Sequence, residues 1–439
     1  MKKVLVLGAG LVAKPLIEYL LESGIRILVA SPMKDRADEM INCHPLGQSA
    51  DWSMDEPELL DKYVSEHDLT VSLLPYKFHT EVAKICIRHR KPLITTSYVQ
   101  PGMKEMDADA RRAGIIILNE IGLDPGIDHM SAMKIIDHIH GKNGKVEEFY
   151  SICGALPAPE AANNPLGYKF SWSPRGVILA SRNSAQYLKD GKTVFVEPRD
   201  LFKDRFTTVF PGVGELEVYP NRDSISYRDI YGIPESLTVY RGTFRHKGWC
   251  ETLDLMKTLN MLDDTPRDYT GYSFSRFISE RASLDAPATP GSLANKLGPG
   301  TSTTAIKALD WLGFFSNSLM GHGVTTPFDI TAELMIDKMT LGESERDMVV
   351  LNHTFIAEWA DGKKEKIVSS MLDFGTPETN TSIARTVALP AAIASKLIIE
   401  GKIKVTGIHR PVIREIYEPV LEELGKLGIK MYEVFGLPV

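Results

Sequence analysis

The chain has 439 residues, which is long for a single hydrophobic core, so two or three domains are expected. Its 43% hydrophobic and 24% charged residues are typical of a globular protein. With 50 basic and 57 acidic residues, the net charge of -7 argues against a nucleic-acid-binding surface.

The four cysteines are scattered and form no C-x-x-C pair. This argues against a disulfide framework or a structural zinc site and favours a reducing compartment. The N-terminal stretch MKKVLVLGAGLV has two lysines before an apolar run, but glycine interrupts that run, so we expect no signal peptide. No uninterrupted apolar stretch approaches the roughly 18–20 residues of a membrane-spanning helix. We therefore expect a cytoplasmic protein that uses no metal and has neither a membrane nor a nucleic-acid partner.

Strand and helix patterns alternate over residues 1–125. The strand patterns are continuous apolar runs, at residues 3–7, 25–30, 68–75, 92–98 and 114–121. Such runs are typical of strands that are buried on both faces of a parallel sheet. We therefore predict an α/β fold with a doubly wound parallel sheet, in which ligands bind at the carboxyl ends of the strands.

A glycine motif follows the first predicted strand and begins a helix. Gly8 permits a tight turn, Gly10 lets the backbone approach a pyrophosphate, and Ala13 allows close packing of helix and strand. The motif predicts a Rossmann-type dinucleotide-binding domain. The acidic residue that binds the ribose of NAD is missing, because the second strand ends in Ser31 and Pro32. Lys34 and Arg36 follow, either as ligands of a phosphate or as solvated residues of a helix start.

Two further predicted strands end in polar turns, at residues 95–102 and 119–130. Hydroxyl and carboxylate groups at this edge of a sheet favour a ligand site. Asp124 and Asp128 also stand where a helix begins, so each is either a site residue or a helix cap. We favour the site for Asp124 and capping for Asp128, and we interpret His129 as a packed helix residue.

After Pro125 the pattern changes to alternating strands, at 145–155, 194–198, 215–220 and 235–249, and to a hairpin over 349–375 that turns at Asp361 and Gly362. These predict a mixed-sheet α/β substrate domain, and residues 251–346 form a predicted helical insertion. The predicted domains are 1–125 completed by 382–439, then 126–250 with 347–381, then 251–346. The polar segment 163–176 is interpreted as a loop over a polar ligand, and Arg222 and Arg241 as candidate carboxylate ligands or surface ion pairs.

Five stretches closely resemble the glutamate-forming saccharopine dehydrogenases, also called saccharopine reductases: TTSYVQP (95–101), NEIGLDPGIDH (119–129), CGALPAPEAANNPLGYKFSWSPRGV (153–177), YRGT (240–243) and ERDMVVLNHTFIAEWADG (345–362). The resemblance extends over nearly the full length. It implies a homodimer that condenses 2-aminoadipate 6-semialdehyde with L-glutamate and reduces the imine with NADPH. A related imine-forming dehydrogenase, such as one that forms carboxynorspermidine, and a non-catalytic dinucleotide sensor are the alternatives.

The resemblance also implies the site residues. Around the dinucleotide it places Gly8, Gly10, Leu11, Val12, Ser31, Thr96, Ser97, Leu123, Asp124, Pro125 and Ser173. Around the amino-acid substrate it places Ser97, Tyr98, Asp124, Arg222, Arg241, Gly242 and Thr243. The candidates for proton transfer are Asp124, Tyr98 and Cys153, with Asp124 favoured for orientation and charge.

The sequence departs from the family after the second strand. Many members have Cys-Arg-Thr there, with the arginine on the 2′-phosphate of NADP, whereas this chain has Ser31, Pro32 and Met33. We therefore expect NADP as the cofactor, with NAD as the alternative. The expected preference is modest if Lys34 or Arg36 reaches the phosphate, and absent if neither does.

Overall fold

The computed structural model describes residues 2–439. The chain divides into two compact units: unit 1 is Met1–Glu147, Ile230–Glu235 and Leu351–Val439, and unit 2 is Glu148–Asp229 and Ser236–Val350. The three-part domain division drawn from the sequence stays a prediction.

The strands, in chain order, are β1 Lys3–Leu7, β2 Arg26–Ser31, β3 Gly47–Asp51, β4 Leu69–Ser72, β5 Leu93–Thr95, β6 Ile116–Leu118, β7 Lys145–Pro157, β8 Ala185–Lys189, β9 Lys192–Val196, β10 Phe206–Phe210, β11 Gly214–Pro220, β12 Thr238–Arg245, β13 Arg267–Asp268, β14 Val324–Thr325, β15 Asp347–Glu358, β16 Lys364–Phe374, β17 Gly407–His409 and β18 Tyr432–Leu437.

The α-helices are α1 Lys14–Glu22, α2 Lys34–Ile41, α3 Pro57–Glu66, α4 His79–His89, α5 Pro101–Lys104, α6 Asp107–Ala113, α7 Ile127–Gly141, α8 Pro174–Ala180, α9 Tyr227–Ile230, α10 Trp249–Thr258, α11 Phe274–Ala282, α12 Pro290–Leu297, α13 Thr303–Leu312, α14 Pro327–Met339, α15 Ser382–Ile399 and α16 Arg414–Lys426.

Unit 1 contains a seven-stranded sheet in the order β3-β2-β1-β4-β5-β6-β17. Every pair of neighbouring strands in it is parallel. The central strands are buried on both faces, with Val4 to Leu7 of β1 fully buried, as their continuous apolar sequences require. The prediction of a doubly wound parallel sheet is confirmed. The strand order reverses between β1 and β4, which is where such sheets bind ligands.

Two strands of this sheet were not predicted. β3 has the sequence GQSAD, whose side chains are exposed or only half-buried at the edge of the sheet. β17 has only three residues and pairs with β6 in register, Gly407 beside Ile116. Neither carries an apolar run, because an edge strand buries little surface. Pairing with a neighbour, rather than local sequence, makes these segments strands.

Helix α15 is the longest helix among the described residues and is strongly apolar. Its 18 residues have a mean hydropathy of 1.5, which meets the length and composition of a membrane span. The apolar residues of the helix are interrupted by Arg385 and Lys396, so it is not an uninterrupted apolar stretch. The helix packs against α1, and 72% of it is buried inside the protein, as is typical of a core helix.

The second sheet is mixed, as predicted. In unit 2, β11 pairs antiparallel with β10 and β12, β12 pairs parallel with β7, and the hairpin of β8 and β9 joins β12. In unit 1, the hairpin of β15 and β16 turns at Asp361 and Gly362, where Gly362 has φ 80°. The predicted turn is confirmed. β16 also pairs antiparallel with β18, an unpredicted strand.

Candidate active site

The turn between β1 and α1 has the form that the glycine motif predicts. Gly8 adopts φ 103°, a conformation that strains other residues, and its N–H donates to the Ala30 carbonyl at 2.9 Å. No described residue comes within 4 Å of the place a Cβ on Gly10 would occupy. Leu11 is half exposed beside it, and Val12 and Ala13 complete the turn into the helix. The turn is open where the backbone would approach a pyrophosphate at a helix N-terminus.

The turn after β5 contains Thr96, Ser97 and Tyr98. The side chain of His79 forms hydrogen bonds to this turn and to the strands before it. His79 Nε2 lies 2.9 Å from Ser97 Oγ and 3.0 Å from Thr95 Oγ1, and its Nδ1 lies 3.0 Å from Ser72 Oγ. Burial lowers the pKa of His79 to about 4, so the imidazole is neutral near pH 7. A neutral imidazole has one donor and one acceptor nitrogen. The hydrogen bond with His79 Nε2 therefore orients the hydroxyl of Ser97.

A buried carboxylate, Glu120, holds the same turn from the end of β6. It accepts hydrogen bonds from Val99 N and Arg410 Nε, both at 2.8 Å, and lies 2.8 Å from His129 Nε2. Burial works to raise the pKa of Glu120, but the hydrogen bond and charge of His129, the charge of Arg410 and the Val99 amide lower it to about 2. His129 is fully buried, as expected of a packed helix residue, and its Nδ1 lies 2.9 Å from the Tyr231 hydroxyl.

Tyr98 and Asp124 are brought together at the carboxyl edge of the sheet. The Tyr98 hydroxyl donates to Asp124 Oδ1 at 3.4 Å, and both residues are half-buried. Leu123 and Pro125 flank Asp124 and are buried, and the Asp124–Pro125 peptide bond is cis. This pair therefore offers a hydroxyl and a carboxylate at the edge where ligands bind.

Asp128 follows this pair along the chain, and its side chain forms a hydrogen bond to the backbone. Its Oδ1 accepts a hydrogen bond from Gly126 N at 2.6 Å, and its side chain is buried. This hydrogen bond holds the residue just before helix α7, and the capping role of Asp128 stays a prediction.

In unit 2, four predicted residues lie on two neighbouring parallel strands. Cys153 of β7 pairs with Thr243 of β12, and Arg241 pairs with Ser151. Since side chains alternate along a strand, Arg241 and Thr243 face the same side of the sheet. Gly242 faces the other side, where a Cβ would lie 2.7 Å from the Tyr240 ring, so this glycine is required for packing.

Arg241 is 2% exposed, which is rare for an arginine. Its guanidinium carbon lies 4.1 Å from the centre of the Tyr227 ring, and its backbone N–H donates to Ser224 Oγ at 2.8 Å. The Tyr227 ring holds the guanidinium, and the Ser224 hydroxyl holds the backbone of β12 at this residue. The alternative interpretation of Arg241 as a surface residue is therefore wrong.

Arg245 was missed by the sequence analysis and is also buried, at 6% exposure. Its guanidinium lies among the rings of Tyr168, Trp249 and Tyr219, with centre distances of 4.9, 5.4 and 5.8 Å. Glu217 is its partner in the strand register, yet Glu217 forms its ion pair with Arg205 at 3.2 Å. The Nε of Arg245 and the indole N–H of Trp249 have no hydrogen-bond partner among the residues that the structure describes.

The Nη1 of Arg245 donates to the Phe244 carbonyl at 2.8 Å, whereas its buried Nε has a free energy cost that an anion bound there would offset. Arg245 continues the alternation of Arg241 and Thr243 on the same face of β12. That alternation is the signal in the sequence that could have identified it.

Two predicted residues lie apart from this face. Arg222 is exposed, adopts φ 51°, and lines a surface cavity of about 400 Å³ with Asn183, Gln186 and Asp223. Ser173 is exposed at the start of the seven-residue helix α8. Within residues 2–439, no group of three or more His, Cys, Asp or Glu side chains is arranged to hold a metal ion.

Two family models match the chain. Residues 4–118 match the saccharopine dehydrogenase NADP binding domain, and residues 122–429 match the saccharopine dehydrogenase C-terminal domain. The chain belongs to the saccharopine dehydrogenase family. The resemblance stated from the sequence motifs is therefore confirmed.

Two fungal relatives match along nearly their whole length. The NADP(+)-dependent, L-glutamate-forming saccharopine dehydrogenase of Schizosaccharomyces pombe is 38% identical over 99% of this chain and 99% of its own. The corresponding enzyme of Saccharomyces cerevisiae is 40% identical over 98% and 99%. The solved structure of the apo histidine-tagged enzyme from Saccharomyces cerevisiae superposes with a TM-score of 0.91 at 37% identity, and covers 99% of this chain and 100% of that one.

The part of the chain that matches the family's NADP binding domain contains the open glycine turn, the end of β2 and the turn supported by His79. The Cβ position of Gly10 has no neighbouring atom within 4 Å, so the backbone of this turn is accessible to a pyrophosphate and the residues present fit a dinucleotide. Ser31 is fully buried, and its Oγ accepts a hydrogen bond from Met33 N at 3.1 Å. It therefore shapes the turn into α2, and its predicted contact with the cofactor is not tested by this geometry.

Proposed function

We propose that this protein is a glutamate-forming saccharopine dehydrogenase. It condenses 2-aminoadipate 6-semialdehyde with L-glutamate, reduces the resulting imine to saccharopine, and catalyses the reverse reaction. The observation that carries this proposal is the pair of buried arginines on one face of β12, in a chain that matches glutamate-forming relatives along its full length. Saccharopine has three carboxylates, and buried guanidinium groups are apt ligands for them.

The face of β12 that carries Arg241, Thr243 and Arg245, called the arginine face, has a defined role in this reaction. Arg241 and Arg245 bind substrate carboxylates, and Thr243 adds a hydroxyl between them. The rings beside each guanidinium prevent it from turning away, so little side-chain entropy is lost when a carboxylate binds. Arg222, on the exposed turn after β11, is a further carboxylate ligand in this proposal.

The chemical steps require proton transfer at nitrogen and oxygen. The amine of glutamate loses a proton and attacks the aldehyde, the carbinolamine loses water, and the iminium carbon accepts a hydride. Asp124 stabilises the positive charge of the iminium, and the Tyr98 hydroxyl, which donates to Asp124 at 3.4 Å, orients that carboxylate. Cys153 stays a candidate for proton transfer because it pairs with Thr243 in the strand register. Positioning of the reacting groups supplies much of the remaining rate.

NADPH, when bound, supplies the hydride. Gly8, Gly10, Leu11 and Val12 hold its pyrophosphate at the start of α1. Ser97, oriented by His79, donates or accepts a hydrogen bond at the ribose or nicotinamide, with Thr96, Leu123, Pro125 and Ser173 as further contacts. A homodimeric state and a cytoplasmic location stay predictions from the resemblance and the composition.

The experiment is a turnover assay on the purified chain. Saccharopine is mixed with NADP or with NAD, and formation of the reduced cofactor and of glutamate is measured. We expect turnover with NADP, and less with other secondary amines such as carboxynorspermidine. Absence of turnover with both cofactors would contradict the proposal. Faster turnover of another secondary amine would assign a different substrate to the same chemistry.

A further inference from the structure

A cavity of about 770 Å³ lies at the carboxyl end of β2, lined by the segment 32–36 together with Glu39 and Asp51. In a dinucleotide-binding sheet, this strand end is where the adenosine ribose is bound, and its side chains distinguish NADP from NAD. The cavity is therefore the place where a 2′-phosphate would be recognised. Neither Ser31, which is buried, nor Pro32, which has no donor, supplies a cation there.

Lys34 lines the cavity but is engaged within its own helix. Its Nζ donates to Asp38 Oδ2 at 2.6 Å, and Asp38 also accepts a hydrogen bond from the Ser49 hydroxyl. The hydrogen bond and charge of Asp38 raise the pKa of Lys34. A phosphate would have to compete with this carboxylate for the lysine.

Arg36 lines the same cavity and is half-buried. Across residues 2–439, the structure shows no ion pair or hydrogen bond from its guanidinium. It also lies in the first turn of α2, where the helix dipole adds to the attraction for an anion. Among the two cations of the cavity, Arg36 is the one whose charge is not already neutralised by a carboxylate.

We infer that Arg36 binds the 2′-phosphate of NADP and determines the preference of this chain for NADP over NAD, an inference that rests on the proposed cofactor. Arg36 thus supplies, from helix α2, the positive charge that a proline at position 32 cannot supply. Asp35, Glu39 and Asp51 line the cavity as well and oppose a phosphate, so the preference is modest. We expect it to be about tenfold, equivalent to about 1.4 kcal/mol.

The test measures equilibrium binding to the full-length protein without amino-acid substrate. Dissociation constants for NADPH, NADH, adenosine 2′,5′-bisphosphate and AMP are determined by calorimetry or fluorescence. Arg36→Ala should weaken NADPH and the bisphosphate by about tenfold and leave NADH and AMP unchanged. Lys34→Ala should change the NADPH to NADH ratio less than twofold, and Arg26→Ala, at the opposite end of β2, should not change it.

Three outcomes would overturn the inference. The first is a wild-type protein that binds NADPH and NADH equally. The second is an Arg36→Ala variant that weakens both dinucleotides equally, which would indicate a structural role. The third is a Lys34→Ala variant that loses the preference. Because no turnover is measured, failure of the saccharopine assay would leave this test intact.

Discussion

At the scale of single residues, the site depends on buried polar side chains whose ionisation the fold has fixed. His79 is surrounded by the hydroxyls of Ser72, Thr95 and Ser97 and by no carboxylate hydrogen-bond partner among the described residues. Burial therefore lowers its pKa to about 4, and it acts as a neutral hydrogen-bonding group. In the proposed function, it orients Ser97 and brings no charge to the cofactor.

This ionisation makes stability depend on pH. Between the unfolded pKa of 6.5 and the folded pKa of about 4, the unfolded chain binds a proton that the folded chain excludes. The contribution of His79 to stability is thus complete above about pH 6.5 and is lost as pH falls toward 4. The shift corresponds to at most roughly 3–4 kcal/mol.

The prediction is tested with His79→Gln, which retains an amide near the position of Nε2 but does not titrate. Denaturant midpoints are measured between about pH 7.5 and pH 4.5. We expect the difference in stability between wild type and variant to shrink as the pH falls. A difference that stays constant over this range would show that His79 is not excluded from protonation in the folded state.

At the scale of elements, Glu120 joins segments that are distant in sequence. Its carboxylate connects the end of β6 with the Val99 amide after β5, with His129 of α7 and with Arg410 just after β17. Each of these segments contributes to, or lies beside, the predicted nicotinamide end of the site. The position of the Ser97–Tyr98 turn therefore depends on one buried charge.

We predict that Glu120→Gln destabilises the protein by about 3 kcal/mol, because removal of one partner of a buried ion pair leaves the other charge uncompensated. The free energy of unfolding is measured by denaturant titration. Glu66→Gln, at an exposed position of α3, is the matched control and should have little effect. Equal stability of the two variants would contradict the assigned role of Glu120.

At the scale of the whole molecule, the two units contain different parts of the proposed chemistry. Unit 1 contains the glycine turn, the cavity at β2 and the Tyr98–Asp124 pair. Unit 2 contains the arginine face of β12 with Cys153. Cofactor recognition and carboxylate recognition are thus separable by mutation.

We predict that Arg241→Ala and Arg245→Ala each raise the KM for saccharopine by at least about tenfold, since each charged hydrogen bond contributes about 1.5–3 kcal/mol. The dissociation constant for NADPH should stay within about twofold of the wild-type value. Arg199→Ala is the matched control in unit 2, because the Arg199 side chain is 84% exposed. Equal losses for substrate and cofactor would remove these arginines from the substrate site.

The sequence by itself determined the parts of this protein that depend on local patterns. Apolar runs predicted β1, β2 and β4 to β6, and the spacing of Gly8 and Gly10 marked the turn after β1. The motifs around Tyr98, Asp124 and Arg241 identified the family. These signals are readable because the chemistry of each segment is contained within a few neighbouring residues.

Only the tertiary structure decided the rest. β3 and β17 are strands because a neighbour pairs with them, and His79 and Glu120 gain their roles from partners up to 290 residues away. Among the described residues, Lys34 is paired and Arg36 is not, because the carboxylate of Asp38 pairs with Lys34 and not with Arg36. Arg245 is a candidate carboxylate ligand because it is buried among three aromatic rings. Burial and long-range contacts determine the ionisation of these side chains and the pairing of these strands. Neither burial nor a long-range contact can be predicted from a short stretch of sequence.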